Sequence, residues 1–205
     1  MRDRESYSDR QFREKAQFVA EALAEFKPAT VLDIGCNTGH FSMAAAKSGA
    51  SVVAIDADVK VVGRLWKDAA SDKVDILPLT VNIAQPSPAI GWRNRETPSF
   101  LSRAKDGFEA VLMLAVIHHL LVTDRIPLEE TLALVADLTR SIAVVEFVSA
   151  SDPMFRDIAS ANQGLYQDVT NEVFRAACLK RFDIVRTSQL SSGHRWMYLL
   201  HRKVR

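Results

Sequence analysis

The chain has 205 residues, 48% of them hydrophobic, and a formal net charge of +1 at pH 7. That length and apolar content suit one compact domain spanning 1–205, and the near-neutral charge excludes a global positive field directed at nucleic acid or an anionic membrane. Cys36 and Cys178 are the only cysteines, which fits a reducing cytoplasm better than a disulfide framework, and no apolar run approaches the roughly 20 residues of a membrane span.

Taken in order, the charged start MRDRES does not read as a signal peptide. The polar lead-in Arg2–Tyr7 reads either as a disordered end or as a flap over a ligand. Ser8 and Gln11 have capping-box spacing, and Phe12, Ala16, Val19, Ala20, Leu23 and Phe26 recur at helical intervals, so a helix should end near Pro28 and close an N-terminal unit of residues 1–27. A strand over VLDI, a glycine-bracketed turn and a helix to about Ser48 follow. SVVAID (51–56) reads as a second strand, Val59–Ala70 as a helix, and VDILPLTVN (74–82) as a third strand, with Pro78 tolerable only where no ladder donor is needed.

Residues 84–107 break this rhythm with several prolines and glycines, together with Trp92, Arg93, Arg95 and Phe100. They read as a long substrate-side connection. FEAVLMLA (108–115) is apolar enough for a strand covered on both faces, Pro127 opens a helix, and SIAVVEFV (141–148) is a fifth strand. Asp152 and Pro153 read as a turn; Thr170 and Glu172 start a further helix. The runs DIVRTSQL and RWMYLLHRK, joined by Ser191–His194, read as a hairpin. The fold class expected is α/β: a doubly wound, seven-stranded, mostly parallel sheet with a C-terminal antiparallel hairpin strand. Ligands of such sheets lie beyond the carboxyl ends of the strands, where strand order reverses.

The strand ends therefore hold the candidate residues. The first carries Asp33, Gly35, Cys36, Asn37, Thr38 and Gly39, with Phe41 on the helix that follows. This is D-x-G-x-x-x-G; it lacks both the G-x-G-x-x-G of dinucleotide sites and the Gly-Lys pair of a P-loop, so pyrophosphate is not the expected ligand. Glycine lets a ligand approach the main chain, and Asp33 suits one carrying a positive amino group. Cys36 reads as a small loop residue, with no His or Lys nearby in sequence to activate it. Asp56, followed by Ala57, closes the second strand about twenty residues beyond the glycines, where a carboxylate accepts both hydroxyls of an unphosphorylated ribose. Asp58 suits the helix N-cap better. Asn82 and Ile83 could give adenine a polar contact and an apolar wall.

His118 and His119 are adjacent, so their side chains diverge and one at most readily faces a given acceptor. Either could act as base, with Glu146, in the apolar run AVVEFV, as its neighbour; each could equally serve a structural hydrogen bond or ion pair. No ligand spacing suggests a metal. If the sixth strand runs parallel to the first five, the last turn opens on the ligand edge and brings His194 and Arg195 near Trp92, Arg93 and Arg95, which would favour an anionic or sugar-like acceptor.

VLDIGCNTGHFS, AIDAD, a polar residue after the third strand and FEAVLMLAVIHHL, in that order over nearly the whole chain, resemble the class I S-adenosylmethionine-dependent methyltransferases. The resemblance implies that Asp33, Gly35 and Gly39 hold the methionine part of the cofactor, Asp56 the ribose, and Asn82 and Ile83 the adenine. The family often has Asn or Asp where Ala115 stands, so only backbone is offered there. IHHL with VVEFVSASDPMF and RWMYLLHR is similar to nodulation-protein-type methyltransferases and to methyltransferase domains that cap O-antigen polysaccharides; PSPAIGWRNRETPSFL resembles the first of these. The expected activity is methyl transfer from S-adenosylmethionine to a small-molecule or glycan acceptor, at oxygen, with S-adenosylhomocysteine as product and no metal. The alternatives are RNA or protein methylation, or a non-catalytic cofactor-binding module of a larger protein.

Overall fold

The computed structural model describes residues 8–203; the lead-in Arg2–Tyr7 lies outside them. Helix α1 (Asp9–Phe26) opens on a reciprocal capping box between Ser8 and Gln11 and turns its buried face, Lys15, Phe18, Val19, Ala22 and Leu23, onto the sheet. Alternation of strands and helices continues as β1 (Thr30–Ile34), α2 (His40–Lys47), β2 (Ser51–Asp56), α3 (Val59–Asp72) and β3 (Ile76–Thr80). After the long connection come α4 (Phe100–Ala104), β4 (Phe108–Met113), α5 (Ile117–Val122), α6 (Leu128–Leu138) and β5 (Thr139–Val148). The chain ends with α7 (Pro153–Ala159), a 3-10 stretch, α8 (Asn171–Leu179), β6 (Phe182–Gln189) and β7 (Arg195–Arg202).

These strands form one seven-stranded sheet in the order β3-β2-β1-β4-β5-β7-β6, with β7 antiparallel to both neighbours, as the sequence pattern predicts. Successive residues of a strand face opposite sides. Val31 accordingly joins Phe18, Ala45 and Leu65 in the core beneath α1 to α3, while Leu32 joins Phe100, Leu132 and Phe174 beneath the helices of the other face. Pro78 is accommodated because β3 is an edge strand. Strand order reverses between β1 and β4, and a crevice opens there at the carboxyl ends.

Two segments differ from expectation. The connection over 84–107 is not loop throughout: Ile90 and Thr97 pair in a small hairpin around a 3-10 turn at Trp92–Asn94, and Ser99 then caps α4, which buries Phe100 and Ala104. A five-residue helix is too short to leave a periodic signal. Asp152 and Pro153 are not a free turn but the N-cap and first residue of α7, the Asp152 carboxylate accepting from Met154 N–H.

Candidate active site

At the end of β1, Asp33 is withdrawn from water and its carboxylate accepts a 2.5 Å hydrogen bond from the Ser42 hydroxyl of α2. Burial pushes this carboxyl up to about 6, against the opposing effects of the Ser42 bond and the Lys15 charge. Gly35 and Cys36 both donate their N–H groups to Ile55 O, folding the loop back against β2. Gly35 has φ +72°, and a Cβ there would meet Val116 Cγ2 at 2.4 Å. Only glycine keeps the loop open at this position. Cys36 is buried, and burial, then the carboxylates of Asp33 and Asp56, push its thiol up, so it stays protonated.

Asp56 accepts from Asn37 N–H and Asp58 N–H, each at 2.9 Å, which holds its carboxylate at the crevice while Asp58 caps α3. Asn82 Oδ1 accepts from Ala84 N–H beyond β3. Ala115, at the end of β4, takes the left-handed conformation with φ +59°, turning the chain sharply into α5.

A cavity of about 600 Å³ is lined by Asp33, Gly35, Cys36, Asn37, Phe41, Asp56, Ala57, Asn82, Ile83 and Ala115. Gly39 lies beside it at φ +82°, against Leu65. Sequence reasoning missed part of this wall: Phe12 and Lys15 from α1, His40 from α2, and Leu120, Thr123 and Asp124 from and after α5. One signal was available. Lys15 stands three residues after Phe12 and four before Val19, on the apolar face of its helix, where an unpartnered ammonium would be costly. The ring of Phe12 meets that of His40 edge-on at 4.7 Å, and the Lys15 ammonium lies 5.1 Å from the centre of the Phe41 ring.

The two histidines part company. His119 is exposed and lines the cavity; His118 is buried outside its wall, stacked toward Phe155, with the two imidazole centres 4.2 Å apart. Burial, then the charges of His119, Arg195 and Lys15, hold His118 well below the usual imidazole range, so it is neutral. Glu146 sits deeper, at the start of a charged cluster. It is buried in ion pairs, at 2.7 Å to Lys15 Nζ and 3.5 Å to Arg195. Arg195 in turn grips Asp152 through Nε at 2.7 Å and Nη2 at 3.1 Å.

Arg195 faces inward because β7 sets it opposite Val148 in β5, where the carboxylates of Glu146 and Asp152 hold it. His194 pairs through Nδ1 with Ser151 Oγ, and Trp92, Arg93 and Arg95 stand exposed; none of the four lines the cavity. Among the described residues no group of three His, Cys, Asp or Glu could hold a metal ion, and no helix is long and apolar enough to cross a membrane.

A family model described as a methyltransferase domain matches residues 7–200. Nodulation protein NoeA of Rhizobium meliloti (strain 1021) is 32% identical over 198 residues, covering 96% of this chain and 41% of that protein. Among solved structures, WbdD is 20% identical with a TM-score of 0.66, covering 95% of this chain and 40% of that one. A magnesium protoporphyrin IX methyltransferase from Synechocystis PCC 6803, with S-adenosylhomocysteine bound, has the same TM-score and identity and covers 94% of this chain and 84% of that one. The chain thus spans about two fifths of NoeA and of WbdD.

Proposed function

The chain belongs to the methyltransferase domain family with S-adenosylmethionine as methyl donor, and on that premise we propose that it methylates a small-molecule or glycan-type acceptor at a hydroxyl oxygen. One observation carries the proposal: the exposed imidazole of His119 stands in the wall of the same cavity as Asp33 and Asp56.

The residues present fit the cofactor. Asp33, its carboxyl raised by burial, gains most from an ammonium laid beside it; Asp56, fixed by two backbone N–H groups, is set to accept from ribose hydroxyls. Ile83 and Asn82 give adenine an apolar wall and a polar edge, and the left-handed Ala115 offers backbone alone. Bound here, the cofactor supplies an electrophilic methyl group on a sulfonium. In-line displacement needs the acceptor oxygen aligned with the carbon it attacks, and the wall formed by Leu120 of α5 and Thr123 just after it serves that alignment. His119 takes the hydroxyl proton as the oxygen bonds to the methyl carbon and the carbon–sulfur bond breaks. His118, neutral and buried, supports the ring of His119.

The charge of the wall bears on acceptor class. It carries Asp33, Asp56 and Asp124 against one lysine, Lys15. A neutral, hydroxyl-bearing acceptor such as a sugar suits this wall better than a phosphate or carboxylate. The similarity to nodulation-protein-type and O-antigen-capping domains supports the same class. The domain would act in the cytoplasm, where buried Cys36 and Cys178 remain thiols.

The test is a labelled-methyl assay against neutral glycosides, sugar phosphates, RNA and protein. Alkali-stable label on neutral glycosides is the expected result. Label confined to RNA or protein would overturn the acceptor class; tight S-adenosylhomocysteine binding with no transfer would make the domain a binding module.

A further inference from the structure

Four ionisable groups, each at most 5% exposed, form an unbroken chain: Asp152 to Arg195, Arg195 to Glu146, and Glu146 to Lys15. Formal charges cancel along it. Desolvating such a set is expensive, and apolar side chains of the same volume would often stabilise as well, so burial alone does not account for it. Its asymmetry does. Asp152, Arg195 and Glu146 lie outside the cavity wall, and only the far end, Lys15, forms part of it.

Strand order locates that end. Asn82 and Ile83 follow β3, Asp56 closes β2 and Asp33 lies in β1, while Glu146 is on β5, two strands further along the order β3-β2-β1-β4-β5. A ligand with adenine against Ile83 and ribose on Asp56 therefore carries its amino-acid end toward β1 and β4. There the carboxylate of Asp33 and the ammonium of Lys15 stand within each other's electrostatic influence. Together they complement a zwitterion, Asp33 its ammonium and Lys15 its carboxylate.

We propose that Glu146 is a positioning residue, and that the chain Asp152–Arg195–Glu146 fixes the Lys15 ammonium where it receives the α-carboxylate of the methionine moiety. This rests on the cofactor reading above. Left without Glu146, Lys15 is a flexible four-carbon stem with a mobile charge; held at 2.7 Å, and flanked by the Phe41 ring, it is set before the ligand arrives. The same chain ties the site to the β5–α7 junction and to the first residue of β7, since Asp152 caps α7 and Arg195 opens β7.

Calorimetry with two ligands tests it. S-adenosylhomocysteine carries the amino-acid end; 5′-methylthioadenosine keeps the adenosine and thioether but lacks it. Lys15→Met should weaken S-adenosylhomocysteine binding about tenfold or more and methylthioadenosine binding less than about twofold, with Lys15→Arg recovering most of the loss. Asp152→Asn, outside the cavity wall, should weaken S-adenosylhomocysteine alone in the same sense, by roughly three- to tenfold. Undiminished methylthioadenosine binding doubles as the check that each variant is folded. Equal losses for both ligands, or no loss in Lys15→Met, would overturn the proposal. Failure of the unaltered protein to bind either ligand would instead overturn the cofactor reading itself.

Discussion

Ser42 donates to the carboxylate of Asp33 in a buried pair, nine residues apart in the chain and joined across the glycine turn. The bond does not offset burial, and the Asp33 carboxyl, ordinarily at 3.8, is raised to about 6. Because the folded state holds this proton more tightly than the unfolded chain, the contribution of Asp33 to stability is fully present below 3.8 and is lost as pH rises through about 6. At neutral pH the buried carboxylate costs on the order of 3 kcal/mol. Asp33→Asn should therefore gain about 1–3 kcal/mol relative to the unaltered protein between about pH 5 and pH 7.5, measured by urea denaturation at each pH.

With the cofactor's ammonium beside Asp33, as proposed, the same carboxyl should make cofactor binding pH-dependent. An ammonium beside Asp33 lowers its pKa, so binding in the range where Asp33 is protonated must expel a proton. S-adenosylhomocysteine affinity should fall below about pH 6, approaching tenfold per pH unit, and titration in buffers of different ionisation heat should show the proton released. In Asp33→Asn this pH dependence should vanish.

Gly35 leaves no room for a methyl group: its φ is +72° and Val116 Cγ2 would lie 2.4 Å from the added carbon. Gly35→Ala should cost roughly 1–3 kcal/mol of stability by denaturation. Since Val116 also lines the cavity, S-adenosylhomocysteine affinity should drop with it.

The adjacent histidines should separate cleanly by assay. His119→Ala, altering a cavity-wall side chain, should slow methyl transfer by roughly 10²- to 10⁴-fold while S-adenosylhomocysteine affinity stays within about twofold. His118→Ala removes a buried ring stacked toward Phe155 and should instead lower stability by about 2–3 kcal/mol, leaving the pH profile of transfer near neutrality unchanged because burial holds His118 well below the usual imidazole range. Single-turnover rates and melting curves distinguish the two.

Arg195→Met takes the cation from the buried Asp152 carboxylate and leaves Glu146 with Lys15, and should destabilise by about 3–5 kcal/mol in urea. Adding Asp152→Leu to that variant should restore a measurable part of the loss, because an uncompensated charge is removed with it. A double variant no more stable than the single one would show that the stranded Asp152 carboxylate is not what destabilises the protein.

What could be read along the chain was whatever depends on neighbours in sequence. Alternating apolar runs and helical spacings specified the α/β sheet, D-x-G-x-x-x-G marked the turn after β1, and Asp56 was legible as the carboxylate at the close of β2, because strand ends, tight turns and caps are set by a few consecutive residues. The divergence of His118 and His119 was equally legible, since adjacent side chains on a helix point about 100° apart. Which one faces the cavity was not, because that depends on how α5 packs under β5 and against Phe155. The same limit hid the partners of Glu146. Lys15 lies 131 positions before it and Arg195 49 after, and they meet only because β7 inserts antiparallel beside β5 and α1 lies over that edge of the sheet. Sequence placed Arg195 on the ligand edge as an acceptor contact; tertiary structure turned it inward, since a cation beside two buried carboxylates is held there by charge that no local pattern reveals.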